Sequence, residues 1–392
     1  MTSTDYDPAT NSIAPPPELR ALSGEYYVSD EWYQADLDVI FYQQWLLAGH
    51  GTEIPNKGDF FTFGVGTENV IIVRQADGSV AAFHNVCRHR GARVCVEDKG
   101  NAGRAFSCPY HAWSYGVDGK LLGAPRMPDD FNKADYGLKK VWVEEFHTLI
   151  FVSFADEKPS PVSESYADVD LTPWGLDDTK VVKHLDYEIE ANWKLVSENF
   201  VECYHCTVVH PELCQVYDPT LSVVGTRLRE LEHVIPDENV PDTYHEFSVD
   251  GFLRQGKKTL SMDGSFAVKR LLGAEGNHPE NSGALYSFPN FAIGFNPDYL
   301  IVMSWYPTSP TRTRFRNTFI VHKDAEPGRD FDVDELVQLM DITAREDLDI
   351  CGLQDVVASR AYEPGPYHPD LEIAVINWMK TYHHLHAQAR TK

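Results

Sequence analysis

The pattern that most restricts this chain is a pair of short Cys/His segments, Cys87-Arg88-His89 and Cys108-Pro109-Tyr110-His111, with eighteen residues between His89 and Cys108. Two thiolates and two imidazoles from two loops can close a tetrahedral site, or can hold two irons with both Cys on one and both His on the other. A structural zinc ion is the competing reading. Zinc fingers, however, pair Cys with Cys and His with His at their own spacings, whereas here each segment brings one of each. Around these segments lie short runs rich in Phe, Val and Ile, such as Phe60-Phe61-Thr62-Phe63 and Val70-Ile71-Ile72-Val73, punctuated by Asp77-Gly78 and Asp118-Gly119. Those are hairpin signals, and they predict an all-β region to about Phe154.

A second constellation lies in Asn192 to His205. At about 100° per residue, Trp193, Val196, Phe200 and Tyr204 fall on one side of a helix predicted from Asn192 to about Cys206, and Leu195, Glu198, Asn199, Glu202 and His205 on the other. His210 precedes Pro211. A residue before proline is pushed out of the helical region, so His210 is expected on a bend that turns back toward His205. Two His and one carboxylate make a facial triad that leaves positions open on ferrous iron. A long helix predicted over Asp332 to Ser359 supplies the carboxylate, because Asp347 projects into its apolar stripe of Leu336, Met340, Ala344, Leu348 and Cys351. Glu346 lies off the edge of that stripe and Asp349 opposite it. A lone carboxylate among apolar side chains is costly unless paired or metal-bound. Gln354 projects the same way as Asp347 and is a candidate outer partner.

Charge narrows the partners. The 392 residues carry 34 Lys and Arg against 59 Asp and Glu, a formal −25, which disfavours nucleic acid and anionic membrane. The cluster region is the exception: from His84 to Arg126 seven basic residues face three acidic ones, a net +4 that leaves −29 elsewhere. These basic groups either solvate the loops or meet an acidic surface on a neighbouring subunit or electron donor. No apolar run is long enough to span a bilayer, and the N-terminal stretch has no basic start resembling a secretory signal. Seven cysteines, an odd number spread over a long chain, read as reduced thiols or metal ligands in a cytoplasmic protein.

Three segments are expected. Residues 1–44 form a tail and helix packing on the last segment, with helical spacing from Asp30 to Leu47; 45–155 form the β domain; and 156–392 come after a polar, Pro-bearing connection at Asp156 to Ser165. In the last segment, strands are expected from Tyr286 through Phe319. Asp237 to Gly264 and Gly273 to Gly283 read as long loops, a class more often lids or binding segments than idle connectors.

The framing Cys-Arg-His-Arg-Gly and Ser-Cys-Pro-Tyr-His-Ala-Trp closely resembles the Rieske [2Fe-2S] signature. With both constellations in this order, the chain resembles the catalytic α subunit of Rieske non-haem iron oxygenases, from the Trp45 region through Phe288-Pro289-Asn290 to Glu372. The resemblance implies an α+β fold, with an antiparallel β Rieske domain and a helix-grip-like catalytic domain of antiparallel sheet and helices. It implies Cys87, His89, Cys108 and His111 as cluster ligands and His205, His210 and Asp347 as ligands of a mononuclear Fe(II). Three positions before the first His ligand, an acidic residue usually bridges the cluster of one subunit to the iron of the next. Here that residue is Glu202, where most ring-hydroxylating members have Asp, and Glu-Cys-Tyr-His-Cys resembles the branch acting on quaternary ammonium compounds.

Membership of that branch would imply a terminal oxygenase in a closed homotrimer, using O2 and electrons that reach it from NAD(P)H through a separate flavin and iron–sulfur reductase. Oxidation of an N-methyl carbon of a betaine would give an unstable hemiaminal and release formaldehyde. Choline or carnitine oxidation, aromatic hydroxylation and O-demethylation are the alternatives within the family, and a Rieske electron carrier the alternative outside it. A cationic substrate without an N–H calls for aromatic faces and nearby negative charge, and Tyr204, Tyr286, Phe288, Phe291, Phe295 and Trp305 are the candidates, two or three of them expected at the pocket. Cys203 and Cys206 read as packing thiols rather than a redox dithiol, Cys95, Cys214 and Cys351 have no assigned role, and His383, His384 and His386 read as a solvated tail. Without a dinucleotide fingerprint, the nicotinamide site falls to the reductase.

Overall fold

The computed structural model describes residues 6–7, 12–13, 20–219, 234–249, 252–368 and 371–391. The chain divides into two units, Phe41–Ala167 and a second made of Met1–Ile40 with Asp168–Lys392.

The first unit is antiparallel β, as its short Phe/Val/Ile runs and turn residues dictate. Its strands are β1 (Leu46–His50), β2 (Asp59–Val65), β3 (Glu68–Arg74), β4 (Val80–His84), β5 (Lys99–Asn101), β6 (Ala105–Ser107), β7 (Ser114–Gly116), β8 (Leu121–Gly123), β9 (Lys140–Phe146) and β10 (Leu149–Ser153). Seven of them form one sheet in the order β1-β10-β9-β4-β3-β2-β5, and β8-β7-β6 form a second. Both Asp-Gly pairs turn hairpins with glycine in the left-handed region, φ +87° at Gly78 and +80° at Gly119. Gly119 is also sterically required, because a Cβ there would lie 2.3 Å from the Phe83 ring. Phe83, Phe106, Trp113 and Tyr115 share one buried cluster with Cys87 and Cys108, so the loops that carry the thiols are rooted in the core.

The second unit is built on six antiparallel strands: β11 (Thr179–Ile189), β12 (His245–Ser248), β13 (Gly283–Ser287), β14 (Phe291–Phe295), β15 (Leu300–Ser309) and β16 (Arg312–His322), in the order β11-β16-β15-β14-β13-β12. Register aligns Glu246, Tyr286, Ala292, Met303 and Asn317 in one row, and Ser248, Ala284, Gly294 and Ile301 in the next row on the same face, since side chains repeat with period two. Among the described residues four helices longer than one turn accompany the sheet: α1 (Asp30–Asp36), α2 (Trp193–Phe200), α3 (Val333–Gly352) and α4 (Ile373–Thr391). Asp332 caps α3 by accepting the amide N–H groups of Asp334 and Glu335 at 2.9 and 3.1 Å, and α3 buries Leu336, Met340, Ala344, Asp347 and Cys351.

Several expectations about elements are corrected. The helix expected from Asp30 to Leu47 ends as α1 at Asp36, continues as a π turn over Leu37–Phe41, and gives way to β1 at Leu46. The helix expected to Cys206 stops at Phe200, and a short turn of helix, Cys206–Val209, resumes after a break. The Glu202 carboxylate causes that break locally by accepting the amide N–H of Tyr204 and, at 3.4 Å, of His205, an alternative to the helical ladder. The helix α3 ends at Gly352 and tightens into a 3-10 segment over Leu353–Ala358. The stretch read as a loop from Asp237 contains β12, and the C-terminal histidines lie on α4, with His386 buried rather than in a solvated tail. Among the described residues no helix is long and apolar enough to cross a membrane.

Candidate active site

The two cluster segments share one turn. The Cys87 carbonyl accepts the Gly91 N–H and the Cys108 carbonyl the Ala112 N–H, each at 3.0 Å, while the Cys87 and Cys108 N–H groups donate to Ala92 and Trp113 at 2.8 Å. Gly91 and Ala112 are both left-handed, φ +72° and +58°, so Ala112 accepts a backbone cost of roughly 1–2 kcal/mol that glycine escapes. Both thiols are buried and both imidazoles exposed. The rings of His89 and His111 stand 4.6 Å apart, and Trp113 stacks on His89 at 4.9 Å. The buried Tyr115 hydroxyl lies 3.3 Å from Cys87 Sγ and accepts the Arg88 N–H at 3.0 Å. Two buried sulfur donors beside two adjacent imidazoles suit a cluster with unlike irons better than one small ion.

In the second unit, three donors meet. His205 Nε2 and His210 Nε2 are 3.2 Å apart, His210 Nε2 lies 3.0 Å from Asp347 Oδ1, and His205 Nε2 lies 3.2 Å from the same oxygen. First-row metal bonds of about 2.1 Å place neighbouring donors of an octahedron about 3.0 Å apart, so these atoms fit one face of such a site. The break after α2 and the bend at His210, φ −115° and ψ 73°, are what bring two His five residues apart onto one point.

Each imidazole is held from behind by a carboxylate. His205 Nδ1 donates to Glu202 at 2.5 Å, and His210 Nδ1 donates to Glu346 at 2.9 Å. Such partners fix the ring and leave the Nε2 lone pair for a metal. Burial opposes charge on His205, but Asp347 and Glu202 outweigh it and raise its pKa to about 10. Burial also opposes ionisation of Asp347, yet the two imidazoles hold its carboxyl below the ordinary value. The surroundings therefore favour a bound cation.

The donors open into a cavity of about 110 Å³. Its walls include Phe200, Tyr217, Phe252, Tyr286 and Met303, and its charged side chains are Glu202, Glu246 and Asp347 beside the two His; no Lys or Arg lines it among the described residues. Of the six aromatic candidates only Tyr286 lines it. Phe288, Phe291, Phe295 and Trp305 are buried in the core, and Tyr204 is exposed. Phe200, Tyr217 and Phe252 were missed because nothing in their local sequence separates a pocket wall from a core position. Glu346, which helical projection puts off the edge of the apolar stripe, reaches His210 from there. Gln354 lies beyond the end of α3 and outside the cavity lining, because the 100° projection fails once the helix tightens. Cys203 and Cys206, read as packing thiols, are joined in a disulfide; the break after α2 brings their Cα atoms to 5.0 Å, a separation that a disulfide spans.

Residues 44–145 match the Rieske [2Fe-2S] domain family, and residues 176–387 match the ring hydroxylating alpha subunit (catalytic domain) family. A glycine betaine monooxygenase oxygenase subunit from Pseudomonas aeruginosa is 35% identical over 379 residues, 92% of this chain and 88% of that one. A benzene 1,2-dioxygenase subunit alpha from Pseudomonas putida is 37% identical over 327 residues, 76% and 70% of the two chains. Among solved structures, the quaternary ammonium Rieske monooxygenase CntA superposes with a TM-score of 0.74 at 21% identity, covering 94% of this chain and 95% of that one, a likeness of fold.

Proposed function

This chain belongs to the ring-hydroxylating oxygenase alpha subunits that carry a Rieske domain, and from that premise we propose that it oxidises a quaternary ammonium compound, removing an N-methyl group from a betaine such as glycine betaine. The observation that carries this reading is the lining of the cavity, aromatic and acidic with no lysine or arginine among its described residues. A permanent cation has no N–H to donate and is held by ring faces and negative charge. The match to the glycine betaine enzyme, longer than that to the benzene dioxygenase subunit, points the same way.

The cofactors of the family are a Rieske [2Fe-2S] cluster and a mononuclear iron. In our assignment Cys87, Cys108, His89 and His111 hold the cluster, and His205, His210 and Asp347 hold the iron. When bound, the cluster supplies one-electron transfer and the iron the activation of O2. Glu202 and Glu346 keep the Nδ1 protons of the two ligand His and fix their rings. The apolar walls exclude water and confine the substrate. Hydroxylation of an N-methyl carbon gives a hemiaminal, whose C–N bond breaks to release formaldehyde, a proton and the demethylated amine. A flavin and iron–sulfur reductase, a closed homotrimer and a cytoplasmic location complete the reading.

The test is aerobic turnover of the purified protein with NADH and a generic reductase against betaines, choline, carnitine and aromatic acids. Formaldehyde from a betaine at rates above every other compound is expected. The 37% identity to the benzene dioxygenase subunit favours the rival, and diols from aromatic compounds with no betaine turnover would establish it.

A further inference from the structure

Of the three carboxylates that line the cavity among the described residues, two are engaged with the donor set: Asp347 belongs to it and Glu202 holds His205. The third, Glu246, sits on the edge strand β12, is only 5% exposed, and lines the cavity. The Tyr244 hydroxyl donates to its Oε2 at 3.0 Å and fixes its orientation. Directly across the strand pair stands Tyr286, whose side chain lines the same cavity. Two residues along β12, on the same face, the buried Ser248 hydroxyl also lines the cavity and has no hydrogen-bond partner among the described residues. Opposite Ser248 the next strands present the small residues Ala284 and Gly294, which line the cavity with it.

We propose that Glu246 and Tyr286 form the subsite for the substrate's quaternary ammonium group, with Glu246 as the residue that selects a cation. This rests on the betaine reading of the cavity and names the residues that carry it. Glu246 puts a buried carboxylate on the cavity wall beside an aromatic ring, and a trimethylammonium group is the ligand that such a pair attracts. The group fits against the Tyr286 ring beside the Glu246 carboxylate, in the cavity into which the His205, His210 and Asp347 donors open. That placement presents an N-methyl carbon toward the donor set. The Ser248 hydroxyl, on the same wall, offers a donor to the substrate's polar tail.

The test is titration calorimetry of the purified holoenzyme with glycine betaine and with 3,3-dimethylbutanoate, which has carbon in place of the charged nitrogen. Wild type is expected to bind the betaine at least about tenfold tighter, a difference of about 1.4 kcal/mol. In Glu246→Gln that preference should fall to about twofold or less while the carbon analogue binds as well as before or better. Should Glu246→Gln fail to fold, Tyr286→Leu is read in its place and should lose the same preference. A preference that survives intact in the folded variant overturns the subsite but leaves the functional reading standing. Wild type that neither prefers nor demethylates a betaine overturns both.

Discussion

At the scale of single residues, the chemistry depends on which atoms converge and what holds them. Glu202 and Glu346 hold the Nδ1 atoms of His205 and His210, the two proposed iron ligands, and so turn both Nε2 atoms to one point. The substitution His205→Ala should lower bound iron from about three per chain to about two, with the visible spectrum of the cluster unchanged, since the donor sets are separate. Iron analysis beside the absorption spectrum checks this, and unchanged iron would mean the second donor set is wrongly assigned. His205, His210 and Asp347 were legible in the sequence because a His before Pro and a carboxylate inside an apolar stripe are local anomalies. Glu346 and Glu246 were not, because each acts through a partner far away in sequence.

At the scale of elements, the second unit pins its helices with a buried charged knot. The Asp36 carboxylate of α1 accepts from Lys194 Nζ at 2.5 Å, the Trp193 indole at 2.9 Å, the Tyr382 hydroxyl at 2.9 Å and His386 Nε2 at 3.1 Å. It thereby joins α1, α2 and α4 behind the segment that carries Glu202 and His205. Burial opposes its charge, but Lys194 and His386 hold the carboxyl below its ordinary value. Its contribution is therefore complete above the unfolded-state value and is lost as pH falls through the lower folded one. Substituting Asp36→Asn strands a buried ammonium and should cost about 3–5 kcal/mol, whereas Asp36→Leu with Lys194→Met, which removes both charges, should recover much of that. Thermal unfolding of the two variants measures the difference; equal losses would mean the knot acts through packing rather than charge. None of this knot was visible in the sequence. Nothing in the sequence singles out Asp36, and His386 reads as part of a tail.

At the scale of the whole molecule, the charge division of +4 around the cluster loops and −29 elsewhere suits docking of unlike surfaces. A closed homotrimer should appear in light scattering at about three times the 44.3 kDa chain. Reductase-coupled reduction of the cluster should slow as ionic strength rises; a monomer, or a rate indifferent to salt, would remove that picture. The cluster loops were readable because metal ligation imposes fixed residue types at short spacings, and the β scaffold because hairpins need glycine at left-handed positions. Period and turn chemistry are local, so the sequence by itself determined the class of each unit and singled out the residues proposed for both donor sets. The substrate wall is different in kind. Glu246, Tyr286, Phe252 and Asn317 come from separate strands and a loop, and whether an aromatic faces a cavity or the core depends on register between strands distant in sequence. Only the tertiary structure decided that, because a one-residue change of register turns every such side chain to the opposite face.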